Sequence, residues 1–210
     1  MPLTTRPRSF GRVRAGTPLA LPDQAIGILG GSFNPPHDGH VQITEIALRR
    51  LRLDQIWWVV TPGNPLKSNG GLPPLATRIA ACRQMMDNRR VAVTGFEARL
   101  GTPFTAATLG YLRRRYPATR FVWIMGADNL ATFHRWQRWR EIAATVPIAV
   151  IDRPRWRLKA MASPAARTLS AAFVPETRAA NLARMTAPAW TLLSGPLSSL
   201  SSTELRAARR

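Results

Sequence analysis

Two of the chain's three histidines, His37 and His40, stand three residues apart inside the stretch GGSFNPPHDGH at residues 30–40. That spacing puts both rings on one side of a first helical turn. Imidazoles so placed can donate hydrogen bonds to phosphate oxygens and gain charge as a polyphosphate binds. A zinc pair or a pair of capping histidines are the other readings, although zinc needs further ligands and the lone Cys82 offers little help. Before the histidines, Gly30 and Gly31 let the backbone turn tightly and approach a ligand without a Cβ clash. A helix starting after them aims its free N–H groups and positive dipole end at an anion. Gly39, between the histidines, leaves room for that anion. The pattern is neither GxGxxG nor a Walker loop, so a dinucleotide fingerprint and a P-loop are set aside.

The elements that must position these residues follow from hydrophobic periodicity. AIGILGG (25–31) is a short apolar run closed by two glycines, which predicts a buried strand. Ile43, Ile46, Ala47 and Leu51 then mark one face of a helix. Further strands are expected at 55–61, 91–94, 121–125, 147–151 and 189–193. Helices are expected on the face of Leu75, Ile79, Cys82 and Met86, at 105–116 and at 128–145, with loops and short helices over 153–188. SSTELRAARR starts like a capped helix, with Ser202 or Thr203 before Glu204. Apolar strands alternating with helices predict an α/β fold, a doubly wound parallel sheet in a single domain covered on both faces. Ligands of such sheets bind at the carboxyl ends of the strands, where the strand order reverses. Residues 1–24, with Arg6, Arg8, Arg12 and Arg14, are expected to be a mobile basic arm, and 25–210 the domain.

Composition narrows the class. A chain of 210 residues, 45% hydrophobic, can bury a substantial core. No apolar run is long enough for a membrane helix, and no apolar stretch follows the N-terminal arginines as a signal peptide requires. One cysteine forbids an intrachain disulfide, so a reducing, cytoplasmic setting is expected. The net charge of +19 raises the question of nucleic acid. Only Lys67 and Lys159 are lysines, however, and the arginines are scattered without a long block, which looks like coding bias as much as selection for a polyanion. Such a field draws in phosphate-bearing small molecules in any case. The sequence is compatible with a homo-oligomer and does not specify one.

GGSFNPPHDGH resembles the GGxFDPxHxGH motif of nucleotidyltransferases related to class I aminoacyl-tRNA synthetases, and SSTELR (201–206) resembles that family's second motif, SSTxIR. Between them, TPGNPLK (61–67), PFTAATL (103–109) and WIMGADNLATFHRWQRWREI (123–142) are similar to segments of its bacterial nicotinate-nucleotide adenylyltransferases. The resemblance spans residues 25–206 and implies a Rossmann-like fold and a place in NAD biosynthesis. It implies direct in-line attack of a mononucleotide phosphate on the α-phosphorus of ATP, with nicotinate mononucleotide as acceptor. Catalysis then rests on positioning and charge neutralisation, with no nucleophilic side chain.

The resemblance also implies residue roles. His37, His40 and Arg206 would be catalytic. Gly30, Gly31, Ser32, Phe33, Gly126, Asp128, Ser202 and Thr203 would complete the ATP site. Asn34, Lys67, Thr105, Trp136 and Arg153 would hold the mononucleotide, with Trp136 stacked on its pyridine ring. Asn34 departs from the family's aspartate; an amide keeps the shape and loses the charge, so it shapes the loop and takes no metal or base role. Mg²⁺ would bridge phosphate oxygens with few protein ligands. The nearest alternative changes only the acceptor, to nicotinamide mononucleotide, phosphopantetheine or a flavin. A basic nucleic-acid-binding module, or a non-catalytic nucleotide sensor, would leave His37, His40 and Arg206 unexplained.

Overall fold

The computed structural model describes residues 16–63, 72–101 and 104–195. Six strands form one parallel sheet: β1 (Ala25–Gly31), β2 (Gln55–Val60), β3 (Val91–Thr94), β4 (Arg120–Gly126), β5 (Ile148–Ile151) and β6 (Trp190–Leu193). Their order is β3-β2-β1-β4-β5-β6. The order reverses between β1 and β4, so the crevice outside their carboxyl ends is where a doubly wound sheet takes its ligand.

Each strand is apolar on both faces because each face carries a helical layer. Side chains alternate between the two layers. Ile26, Ile28, Trp57, Val59, Phe121 and Trp123 face α3 (Thr105–Arg115), α4 (Ala127–Thr132) and α5 (Trp139–Thr145). Leu29, Ile56, Trp58, Val60, Val122 and Ile124 face α1 (Asp38–Arg50), α2 (Leu75–Met85) and a 3-10 stretch at Glu176–Arg184. Burying each of the larger aliphatic side chains stabilises the fold by ~1.5–3 kcal/mol. Two short helices, α6 (Arg157–Met161) and α7 (Pro164–Thr168), fill the segment between β5 and β6. Among the described residues no helix is long and apolar enough to cross a membrane.

Two expectations change. The single helix expected over 128–145 is broken: α4 passes into a 3-10 turn at Phe133–Arg135, and Arg138 adopts a left-handed φ of 56° before α5. On one straight helix, residues six apart point in widely different directions. The break lets both Trp136 and Trp139 meet Phe133 edge-on, at 5.4 and 5.8 Å between ring centroids. The second change concerns residues 16–24, assigned by the sequence to the basic arm. They pack on the domain: Tyr116 donates to Pro18 O, Thr119 to Leu21 O, and Asp23 pairs with Arg120.

Candidate active site

β1 ends in the glycine turn, and both glycines make room for a specific neighbour. A Cβ on Gly30 would lie 2.5 Å from the Trp123 ring, and one on Gly31 3.3 Å from the Phe33 ring. Phe33 takes a left-handed φ of 45°, a conformation costly for a bulky residue. Its side chain is buried, stacked on Trp58 at 5.0 Å and against His40 at 4.7 Å. That stack holds the turn in its strained form.

α1 begins immediately after, with His37 as its extended N-cap. The two imidazoles lie 3.9 Å apart. The His37 backbone N–H donates to His40 Nδ1 at 3.2 Å, so neutral His40 carries its proton on Nε2, as a donor to an anion. His40 is also fixed from behind: Thr44 donates to its carbonyl at 2.8 Å, and the Trp58 indole N–H donates to the Thr44 hydroxyl at 2.8 Å. Burial, then the positive charges of His37 and Arg153, lower the His40 pKa from 6.5 to about 3. The surroundings of His40 are therefore buried and locally positive, a setting that favours an anion beside it.

At the carboxyl end of β4, Gly126 leaves space for Asp128: a Cβ there would fall 2.4 Å from Asp128 Oδ1. Asp128 Oδ2 pairs with Arg153 at 3.2 Å, while Oδ1 is buried with no hydrogen-bond partner. A buried acceptor in that state costs stability unless a ligand donor meets it. Arg153, expected on the mononucleotide side, sits between Asp128 and His40, close enough to the histidine to affect its charge. Its backbone N–H donates to Asp152 Oδ1 at 2.8 Å.

The remaining described residues that the sequence singled out come from separate segments. Thr105 opens α3, whose N-cap is the extended Phe104. One turn on, Thr108 donates to Glu97 at 2.6 Å, and the Thr61 side chain lies near enough to act on the Glu97 carboxyl while its hydroxyl donates to Gly63 O at 2.7 Å. Burial pushes the Glu97 carboxyl up, with both threonines pulling the other way. Trp136 is half-buried and meets Trp123 edge-on at 6.3 Å. Trp123 keeps its indole N–H buried with no partner.

The structure thus brings Gly30, Gly31, Ser32, Phe33, Asn34, His37, His40, Gly126, Asp128 and Arg153 to the ends of β1, β4 and β5. Lys67, Ser202, Thr203 and Arg206 lie outside the described residues. Sequence reasoning missed Arg78, Glu97 and Trp123. Nothing in the sequence sets Arg78 apart, because it is one arginine among many. Glu97 could have been noticed as a carboxylate beside apolar residues in an acid-poor chain. Cys82 is buried with its thiol pushed up to about 12, an inert core group.

Among the described residues no three or more His, Cys, Asp or Glu side chains are grouped so as to hold a metal ion. His40 already uses Nδ1 as an acceptor and presents a proton, not a lone pair, from Nε2.

A family model described as cytidylyltransferase-like matches residues 28–208. Proteins named probable nicotinate-nucleotide adenylyltransferase from Cereibacter sphaeroides and Rhizobium meliloti are each 57% identical to this chain over 185 residues. Both alignments cover 88% of this chain, with 97% of the first relative and 98% of the second. A third relative of the same name, from Methylorubrum extorquens, is 55% identical over 86% of this chain and 98% of its own. The fold is similar to that of the Plasmodium falciparum nicotinic acid mononucleotide adenylyltransferase complexed with NaAD. That match has a TM-score of 0.66 at 18% identity, over 88% of this chain and 83% of the other. The same enzyme complexed with APC gives a TM-score of 0.65 at 17% identity over the same shares.

Proposed function

The chain belongs to the cytidylyltransferase-like family, among its nicotinate-nucleotide adenylyltransferases, and from that premise we propose how its residues divide the reaction. The enzyme transfers AMP from ATP to nicotinate mononucleotide, giving nicotinate adenine dinucleotide and pyrophosphate in NAD biosynthesis. A phosphate oxygen of the mononucleotide forms a bond to the α-phosphorus as the bond to the β-phosphate bridging oxygen breaks. The displaced pyrophosphate takes the negative charge with it.

One observation carries the assignment of roles: His37 and His40 meet at the start of α1, at the carboxyl end of β1, where the strand order reverses. His40 Nε2–H and the first-turn amides of α1 donate to the α- and β-phosphates of ATP. His40 is neutral before binding and its Nδ1 is occupied by the His37 N–H, so it acts on the leaving group as a hydrogen-bond donor through Nε2–H, a contact best placed as charge builds on that group. Ser202, Thr203 and Arg206 are assigned to the ATP phosphates by the resemblance of SSTELR to the family's second motif. Asp128 accepts from a nucleotide hydroxyl through its unpartnered Oδ1 and is held in place by Arg153. Thr105 and the α3 amides receive the pyridine carboxylate, Trp136 stacks on the ring, Lys67 meets the mononucleotide phosphate, and Asn34 shapes the loop beside it. Arg153 lies between the two substrates and serves both. A divalent cation suits this family, and we assign Mg²⁺, which supplies charge neutralisation across the ATP phosphates when bound.

Pyrophosphate release from ATP with a panel of acceptors tests the reading: nicotinate mononucleotide, nicotinamide mononucleotide, phosphopantetheine and FMN. Release with the first well above the others is expected. Preference for any other acceptor would sink the assignment while leaving the nucleotidyl transfer intact.

A further inference from the structure

Arg78 sits in the first turn of α2, 3% exposed, and among the described residues it has no carboxylate partner. A cation there opposes the helix dipole, so its position does not serve the helix. Its guanidinium instead binds backbone carbonyls from three places. Nη1 donates to Ser32 O at 2.7 Å and to Thr61 O at 2.8 Å, Nε to Pro73 O at 3.0 Å, and Nη2 reaches Pro62 O at 3.5 Å. Burial lowers its pKa, as expected for a charge held away from water.

Those carbonyls lie where the sheet stops. The last rung of the β1–β2 ladder is the Thr61 N–H donating to Gly31 O at 2.9 Å. Beyond it the two chains part, Ser32 into the glycine–histidine turn and Thr61 into Pro62 and Gly63. A single nitrogen of Arg78 bridges the first carbonyl of each. Thr61 also lies near Glu97, which accepts from Thr108, one turn inside the helix that Thr105 opens. A planar guanidinium with five donors in a fixed fork can hold several carbonyls in set relation; an ammonium cannot.

We propose that Arg78 is a positioning residue that sets the gap between the ATP phosphate turn and the acceptor wall. The inference rests on the functional reading above. In-line transfer needs the acceptor oxygen at near-attack distance from the α-phosphorus, and a displacement of about 1 Å can cost about 10²-fold in rate. Arg78 touches neither substrate. Its loss leaves each half-site formed and relaxes only the distance between them.

The test is binding and turnover of Arg78→Lys, which keeps the charge and loses the fork. Expected are a kcat lower by about 10²-fold and Kd values for ATP alone and for nicotinate mononucleotide alone within about threefold of wild type. The dinucleotide product, which spans both halves, is expected to bind at least about tenfold more weakly, because only a spanning ligand reads the separation. Arg78→Ala assayed with added ethylguanidinium is the second variant, with partial return of kcat expected. Equal weakening of all three ligands, an unchanged kcat, or failure of both variants to fold would overturn the proposal, since the arginine would then serve the fold alone. Absence of turnover in the wild-type protein would refute the functional reading instead; the ratio of dinucleotide to single-ligand affinities judges Arg78 separately.

Discussion

The histidine region comes from one continuous stretch, Gly30–His40, whereas the region proposed for the acceptor is gathered from Thr61, Glu97, the start of α3 and the broken helix around Trp136. On the first side the residues are close in sequence and much of the bracing comes from one strand: the Phe33–Trp58 stack, and the chain of hydrogen bonds from Trp58 through Thr44 to His40. On the second, geometry exists only once distant segments have packed. The difference separates two jobs. Stabilising charge on phosphates needs a fixed local cradle, while choosing an acceptor needs a wall whose parts can vary separately. Changes on the histidine side should therefore strike turnover, and changes on the acceptor side should strike KM for the mononucleotide.

The largest expected effect tests the first half of that contrast. His40→Ala should lower kcat by about 10²-fold or more, in line with the loss of one preorganised donor, while the protein stays folded by circular dichroism. Near-normal turnover would remove the histidine side from the chemistry. Gly30→Ala should come next, and it crosses the divide. Its Cβ would sit 2.5 Å from the Trp123 ring, which also packs against Trp136. Such overpacking costs about 1–3 kcal/mol. Thermal unfolding should register that cost, and KM for the mononucleotide should rise with it. A fall in stability with both KM values unmoved would show that the two sides are not joined through Trp123.

The same contrast explains what could be read in advance. All six strands, the parallel sheet and the histidine cradle were legible, because each depends on residues close in sequence: alternating apolar runs, two glycines, two histidines at helical spacing. The break at Arg138 was not, because the aromatic pattern of Phe133, Trp136 and Trp139 suits a helix until the tertiary stack is known. Arg78 was not legible either. A guanidinium that binds carbonyls far from it in sequence leaves no local pattern, and burial of one arginine among many is a property of the fold.

A smaller effect sharpens the acceptor half. Trp136→Ala removes a stacking surface worth about 0.5–1.5 kcal/mol beyond its buried area. KM for nicotinate mononucleotide should rise up to about tenfold, with KM for ATP unchanged, when each substrate is varied in turn. An equal rise in both would make Trp136 a packing residue and would blur the boundary between the two sides.

The finest distinction lies in how the two sides respond to pH, because each holds one buried titratable group displaced in the opposite sense. His40 stays neutral in the folded protein down to about 3, whereas an unfolded histidine takes up its proton near 6.5. Between those values the unfolded chain binds the extra proton, so the histidine side loses stability as pH falls from 6.5 toward 3. Glu97 is raised by burial, so the folded protein is the form that holds the extra proton. Its contribution is present below the ordinary carboxylic pKa and is lost as pH rises through the folded value. Melting temperature against pH should separate the two. His40→Gln should flatten the acid limb, and Glu97→Gln, which keeps a hydrogen-bonding amide between Thr61 and Thr108, should flatten the decline at higher pH. If Glu97→Gln changed the acid limb instead, the carboxyl would be ionised in the folded protein, and the acceptor wall would carry a negative charge facing the pyridine carboxylate it is meant to receive.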